Sequence, residues 1–297
     1  MTYCPSIAKI AEECFTEYAL DFPVSQKTTY KIGGNADGAL FPDTANKATA
    51  VVKRLKEEGV PFVFLGNGSN VLISDEGFRG AVVCSERLKG ITVSGKMLTA
   101  LSGEPLSSVI KTALYSSLGG LEFLSGIPAS VGGAVSMNAG CYGKNVGDYV
   151  SYVVTTSGVL PQKDCGFDYR ESVFSVGDDM ILSVCFNLEN VEFEQSEAAI
   201  EKFLKLRAKK TPKGRSCGSV FKNDGYFAGK LIEQSGMKGV SVGGATVSEK
   251  HANFIIADKT AKSSDVYDLI RKIKDAVKRK TGAELKEELK FIGKFND

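Results

Sequence analysis

Residues 215–223 read RSCGSVFKN, and Ser219 is the first candidate for chemistry. A nucleophilic serine needs a base to take its proton, most often a histidine. The chain has one histidine, His251, in EKHANFII, where it reads as a hydrogen-bonded structural residue rather than a base. Ser219 therefore stands open as nucleophile, turn residue or something else. Two more polar residues stand among apolar ones: Arg170 in DYRESVF and Glu288 in KEELKFIG. Taken alone, each reads as half of a structural ion pair.

The next chemical signal is glycine. The 32 glycines gather around 66–68, 119–133 and 239–244. Glycine allows positive φ and close approach of the backbone to another group. In LGNGSNVLISD, Gly66, Asn67, Gly68, Ser69 and Asn70 form a loop rich in free N–H groups, able to wrap a phosphate or pyrophosphate. It has neither the GxGxxG spacing of a dinucleotide turn nor the Gly-Lys-Ser/Thr of a P-loop, and a plain tight loop between strands stays open. In GGLEFLSGIPASVGGAVSMNAGCYG, Ser125, Gly126, Ile127 and Pro128 make a tight turn. Ser130, Gly132 and Gly133 then open a stretch of small residues, more than packing alone asks for. KLRAKKTPKGR, 205–215, holds six basic residues and no acid. It reads as a solvated face or as an attractor for a polyanionic substrate.

The elements that must position these residues follow from periodicity. Ile7, Ile10, Ala11, Cys14, Phe15 and Tyr18 recur at helical spacing over 6–19. Asp43 or Thr44 caps a helix over 45–58 that Gly59 stops. Strands follow at 61–65 and 80–84, a hairpin turns at Ser94-Gly95-Lys96, and Pro105 opens a helix reaching Leu118. Residues 150–190 are strand-rich. A helix over 195–210 precedes a strand at 218–222, a helix at 227–235, a strand at 252–257 and a long helix at 263–280. A last strand, ELKFIG, places Glu288, Lys290 and Ile292 on one face. The class is α+β throughout.

Composition bounds the function. With 297 residues, 43% hydrophobic and 24% charged, the chain can bury a full core. A net charge of +2 does not mark a nucleic-acid binder, and the basic run lacks interleaved aromatics for stacking bases. No apolar run reaches the roughly 18 residues of a membrane span, and no secretion signal is evident at the start. Seven scattered cysteines with no CxxC pair suggest neither a disulfide framework nor a zinc site, and a bound transition metal is not expected.

Taken in order, TTYKIGGNADGAL, the two glycine segments, YRESVF, GSVFKN, SEKHANFII and ELKFIG resemble the UDP-N-acetylenolpyruvoylglucosamine reductase family across nearly the whole chain. The resemblance implies a vanillyl-alcohol-oxidase-type FAD-binding fold of two α+β subdomains, plus an α+β substrate-binding domain. The implied division is 1–85 joined by 284–297, then 86–198, with the UDP-sugar on 199–283. It implies FAD and NADPH as cofactors and UDP-N-acetylglucosamine enolpyruvate as substrate. A monomer in the bacterial cytoplasm, with neither nucleic acid nor membrane insertion, is the expectation. The FAD pyrophosphate would lie on Gly66–Asn70 and Ser125–Gly133. The catalytic set would be Arg170, Ser219 and Glu288, with Lys210 and Asn223 at the substrate phosphates.

Three departures accompany the resemblance. Asp224 stands where the family often has proline after FKN. LKEE replaces Leu-Glu-Pro-Glu, which leaves Glu288 in place and Glu287 as the competing assignment. The interval from Arg170 to Ser219 is short, as in the subtype without the tyrosine-bearing insertion. The implied reaction delivers hydride from flavin N5 to the enolpyruvyl carbon. Ser219 then becomes a proton donor needing no histidine, with Cys217 the next candidate; Arg170 stabilises the developing charge, and Glu288 does so by hydrogen bonding only in its protonated form, which burial would have to favour.

Overall fold

The computed structural model describes residues 2–295. The chain divides into two compact units. The first comprises 1–20, 38–67 and 80–207, and the second 21–37, 68–79 and 208–297. Seven helices are described: α1 (Cys4–Glu13), α2 (Ala45–Glu57), α3 (Leu106–Tyr115), α4 (Val131–Ser136), α5 (Phe193–Lys210), α6 (Ala228–Gln234) and α7 (Ser263–Thr281). None is long and apolar enough to cross a membrane.

The first unit holds two cores. One joins α1 to α2 through Ile7, Ile10, Val51, Val52 and Leu55, all essentially buried. Thr44 starts α2, its hydroxyl accepting the Lys47 N–H at 3.3 Å, and Gly59 follows at φ 62. The strand Phe62–Leu65 runs parallel to Phe78–Cys84. The other core backs a five-stranded antiparallel sheet, ordered Gly158–Pro161, Val150–Thr155, Ile181–Asn187, Met97–Leu101, Ile91–Ser94. Leu106, Val109, Ile110 and Ala113 of α3 bury the helix on it. Each such side chain contributes about 1.5–3 kcal/mol by leaving water.

The second unit packs α6 and α7 against an antiparallel sheet of Ser241–Val242, Ala245–Val247 and Ile255–Ala257. In α7, Val266, Leu269, Ile270, Ile273 and Val277 form one apolar stripe, and Gly282 at φ 74 ends the helix. The strand Lys290–Ile292 pairs in parallel with Val71–Ile73.

Several elements differ from the periodicity. The helix expected over 6–19 ends at Glu13; Phe15 turns left-handed at φ 49 and is 83% exposed. Beyond it Glu17–Pro23 is extended, so the spacing of Phe15 and Tyr18 was not a helix face. The helix opened by Pro105 stops at Tyr115, and Ser117 is left-handed at φ 53. No strand forms at 218–222: Gly218 at φ 84 breaks the extended run, leaving a single bridge from Phe221 to Glu287. The strand expected over 252–257 shortens to Ile255–Ala257. The final strand shortens to Lys290–Ile292, so Glu288 lies just before it.

Candidate active site

The candidate residues form two groups, one in each unit. In the first unit the two glycine segments meet. A Cβ on Gly66 would collide with Ser130 Oγ, and Asn67 Nδ2 donates to the Pro128 carbonyl at 3.4 Å. Ser130 Oγ accepts the Gly133 N–H at 3.3 Å, starting α4. Gly132 N–H donates to the Ser102 carbonyl at 2.8 Å, and a Cβ there would stand 2.9 Å from Ser102 Cβ. Two hydroxyls, Ser125 Oγ of the second segment and Ser102 Oγ beside Gly132, are buried without a partner. An unpartnered buried polar group costs about 1–3 kcal/mol, and a native fold rarely carries one without a reason. The glycines let protein segments close on one another where no Cβ fits, while the idle Ser102 and Ser125 hydroxyls keep hydrogen-bonding capacity for a bound group that brings its own polar atoms.

The Ser125–Gly126 turn is backed from α5. Arg207 Nε donates to the Ser125 carbonyl at 2.9 Å, and its Nη2 donates to Cys141 Sγ at 3.3 Å. Ile127 packs on the main core of this unit. Arg170 is half-buried and sits at φ 59, a left-handed conformation that a non-glycine residue reaches only at a cost. Its Nη2 donates to the Gly140 carbonyl at 2.8 Å, and its guanidinium lies 4.9 Å from the Tyr169 ring centre. Burial pushes the Cys141 thiol up, while Arg207 and then Arg170 draw it down; the net shift is upward and the thiol stays protonated at neutral pH.

In the second unit Ser219 and Glu288 come onto adjacent segments. The Glu288 N–H donates to the Val220 carbonyl at 2.8 Å, and the Lys222 N–H to the Lys286 carbonyl at 2.9 Å. Phe221 between them takes both of its backbone bonds from one side chain. Asn253 Oδ1 accepts the Phe221 N–H at 2.9 Å, and Asn253 Nδ2 donates to the Phe221 carbonyl at 2.8 Å. His251 Nδ1 accepts the Asn253 N–H at 3.3 Å, and burial lowers the imidazole pKa, so His251 is a neutral support for this brace.

The competing residues separate. Glu287 Oε1 accepts from Lys274 Nζ at 2.7 Å. The Glu288 carboxylate instead contributes to the rise of the Cys217 thiol, whose main cause is burial and which reaches about 12. Cys217 is 3% exposed in the unit's core. Gly68 is left-handed at φ 58, and a Cβ there would collide with the Lys27 carbonyl. Ser69 is half-buried beside it. Asn70 spends its side chain on protein: Nδ2 donates to the Glu288 carbonyl at 3.1 Å. Asn223 is exposed, and its Oδ1 accepts the Ala228 N–H at 2.9 Å. Lys210 is exposed at the end of α5.

Comparison with known proteins defines the class first. Residues 36–161 match the FAD binding domain family, and the fold is of the vanillyl-alcohol-oxidase type with mixed helices and strands. Residues 209–292 match the C-terminal domain of UDP-N-acetylenolpyruvoylglucosamine reductase. A protein of that name from Caldanaerobacter subterraneus subsp. tengcongensis is 40% identical over 281 residues, spanning 92% of this chain and 93% of its own. One from Geobacillus kaustophilus is 41% identical over 293 residues, 96% of each chain. The crystal structure of the UDP-N-acetylenolpyruvylglucosamine reductase of Thermus caldophilus is 30% identical with a TM-score of 0.80, covering 94% of this chain and 99% of that one. This chain belongs to the UDP-N-acetylenolpyruvoylglucosamine reductase family.

Two residues of the site, Arg207 and Asn253, were not singled out from sequence. Arg207 reads as one of six charges in a basic run, yet with Ile200 and Phe203 it continues the packed face of α5. That i, i+3, i+7 spacing is the signal that could have found it. Lys205 of the same run pairs with Glu201 at 2.6 Å, as a solvated helix face does. Asn253 and the bond from Asn70 to Glu288 join residues far apart in the chain, and no local pattern announces them.

Proposed function

We propose that this chain reduces UDP-N-acetylglucosamine enolpyruvate to UDP-N-acetylmuramate at the expense of NADPH, a step in making the peptidoglycan precursor. A hydride adds to the terminal enolpyruvyl carbon, a proton adds to its neighbour, the C=C bond becomes single and NADPH becomes NADP⁺. FAD, held on Gly66–Asn70 and Ser125–Gly133, carries the hydride when bound. We assign it to residues 1–85, 86–198 and 284–297, and the UDP-sugar to 199–283.

The chain's own residues then have three tasks. Arg170 supplies a charge that cannot be lost by deprotonation, set against the carboxylate that receives the developing negative charge. Ser219 gives a proton to the carbon beside that carboxylate. Glu288 orients and hydrogen-bonds the reacting group from the adjoining segment. The observation that carries this reading is the bond from Glu288 N–H to the Val220 carbonyl, 2.8 Å, which sets Glu288 against the residue after Ser219. Cys217, the other candidate donor, is packed into the core, 3% exposed, where it has no surface to offer a substrate. Lys210 and Asn223 are assigned to the substrate diphosphate, which the exposed lysines of the basic run attract. NADPH and a UDP-sugar as substrates are consistent with work in the bacterial cytoplasm.

Anaerobic half-reactions test this. Wild-type protein should be yellow, should be bleached by NADPH and should regain its colour on addition of UDP-N-acetylglucosamine enolpyruvate. In Ser219→Ala, NADPH should still bleach the flavin, while recovery of colour slows by about 100-fold or more. Recovery within about threefold of wild type would remove Ser219 from the role.

A further inference from the structure

The Glu288 backbone is held from both sides, and one of the holders sits in the glycine loop. Its N–H reaches the Val220 carbonyl at 2.8 Å. Its carbonyl accepts Asn70 Nδ2 at 3.1 Å, and the Asn70 carbonyl in turn accepts the Lys290 N–H at 3.0 Å. One asparagine thus splints 288 to 290 immediately before the parallel pairing of Lys290 with Val71. Glu288 lies just before that strand, so the parallel ladder does not include it. The loop that supplies the splint is rigid at its own base. Gly68 admits no Cβ, and its carbonyl accepts the Thr29 N–H at 3.1 Å.

We infer that Asn70 is a positioning residue for Glu288, and that it couples the state of the glycine loop to the placement of that carboxylate. This rests on the assignment of Glu288 to the reaction. The amide is suited to the task because it offers a donor to one carbonyl while its backbone offers an acceptor two residues on. A loop drawn tight around a bound diphosphate keeps the Asn70 amide in register and so keeps Glu288 in reach. A slack loop releases both. Ordering of the cofactor loop and placement of the Glu288 carboxylate become one event.

Asn70→Asp is the test, made on the flavin-loaded full chain. The change keeps shape but turns a carboxylate oxygen toward the Glu288 carbonyl, replacing attraction by repulsion. Two readouts apply. In hydrogen–deuterium exchange, the 286–291 segment should exchange about tenfold faster, the loss of one hydrogen bond's worth of local protection. In anaerobic half-reactions, reoxidation by UDP-N-acetylglucosamine enolpyruvate should fall about tenfold more than reduction by NADPH does, the scale expected when a reacting group loses one orienting bond. That excess should shrink as pH falls and the introduced carboxyl gains a proton to donate. Asn70→Gln keeps the donor one methylene further out and should give a partial effect in both readouts; it carries the test if Asn70→Asp does not fold. Unchanged exchange at 286–291, or both half-reactions falling equally, overturns the inference. Faster exchange in a protein whose wild type never reoxidises with the substrate leaves the positioning intact and removes the proposed function instead.

Discussion

The two groups of candidate residues are built on opposite rules. In the first unit, Gly66 and Gly132 close onto Ser130 and Ser102 because neither carries a Cβ. In the second, Ser219 and Glu288 sit on irregular backbone held by side-chain amides, Asn253 on one side and Asn70 on the other. The first half cannot accept an added atom, and the second cannot lose a donor. Bare backbone lets segments of the first group approach closely, while directional bonds hold the backbone beside Ser219 and Glu288 in the second.

The sharpest way to break this contrast is Asn253→Ala. It strips the Phe221 N–H and carbonyl of their partners in a buried setting, at about 1–3 kcal/mol each. Thermal unfolding should shift down strongly, and recovery of flavin colour with the substrate should slow in whatever protein remains folded. A variant as stable as wild type would mean that the brace is incidental. Next in size is Gly66→Ala. Overpacking against Ser130 should weaken flavin retention by about 1–3 kcal/mol, roughly 10- to 100-fold in affinity, read from the absorbance of the dialysed protein. Adding Ser130→Gly to it removes the obstructing hydroxyl and should recover part of the loss. Full flavin retention in Gly66→Ala alone contradicts the rule of no added atom.

A smaller effect is expected at Asp75. Its carboxylate accepts the Ser263 and Ser264 N–H groups at 2.8 Å each and caps α7. Burial raises its pKa, but the bonds from Ser264 and Ser263 outweigh it and hold the carboxyl below its ordinary value. The ionised form is the one bonded in the fold. Its stabilisation is therefore complete above the unfolded pKa and fades as pH falls through the lower folded one. Asp75→Asn should cost about 1 kcal/mol at pH 7, and denaturant titration should show that gap closing below about pH 4. The smallest change is expected for Cys217→Ala. The thiol is buried in the core, so recovery of flavin colour by the substrate should stay within about twofold of wild type, beside a modest stability loss. Collapse of that half-reaction would move the proton donor from Ser219 to Cys217.

Much of the first half was legible in the sequence because it is local. Glycine is written where a Cβ cannot stand, and Gly66, Gly126 and Gly132 can be picked out by eye. The motif order also carried the family, its FAD and its fold class, which the relatives bear out. The second half was legible only in its residue names. The extended reading of 218–222 missed that Asn253 supplies what a neighbouring strand would have supplied. The helical reading of 6–19 missed the left-handed Phe15, because an apolar spacing of three and four persists for a few residues past a helix end by coincidence. Arg207 was hidden among charges because composition does not tell which face of a helix is turned inward. In each case the deciding partner is remote in the chain.

The parallel pairing of Val71–Ile73 with Lys290–Ile292 has a consequence for biosynthesis. The ribosome releases the first strand early and its partner close to the end of this sequence. Until then Val71–Ile73 lacks its strand partner, and the two earlier segments of the second unit, 21–37 and 68–79, wait for the stretch from Ala208 onward. Nascent chains stalled before residue 290 should therefore hold a protease-sensitive edge and recruit chaperones, while the five-stranded sheet of the first unit can already be closed.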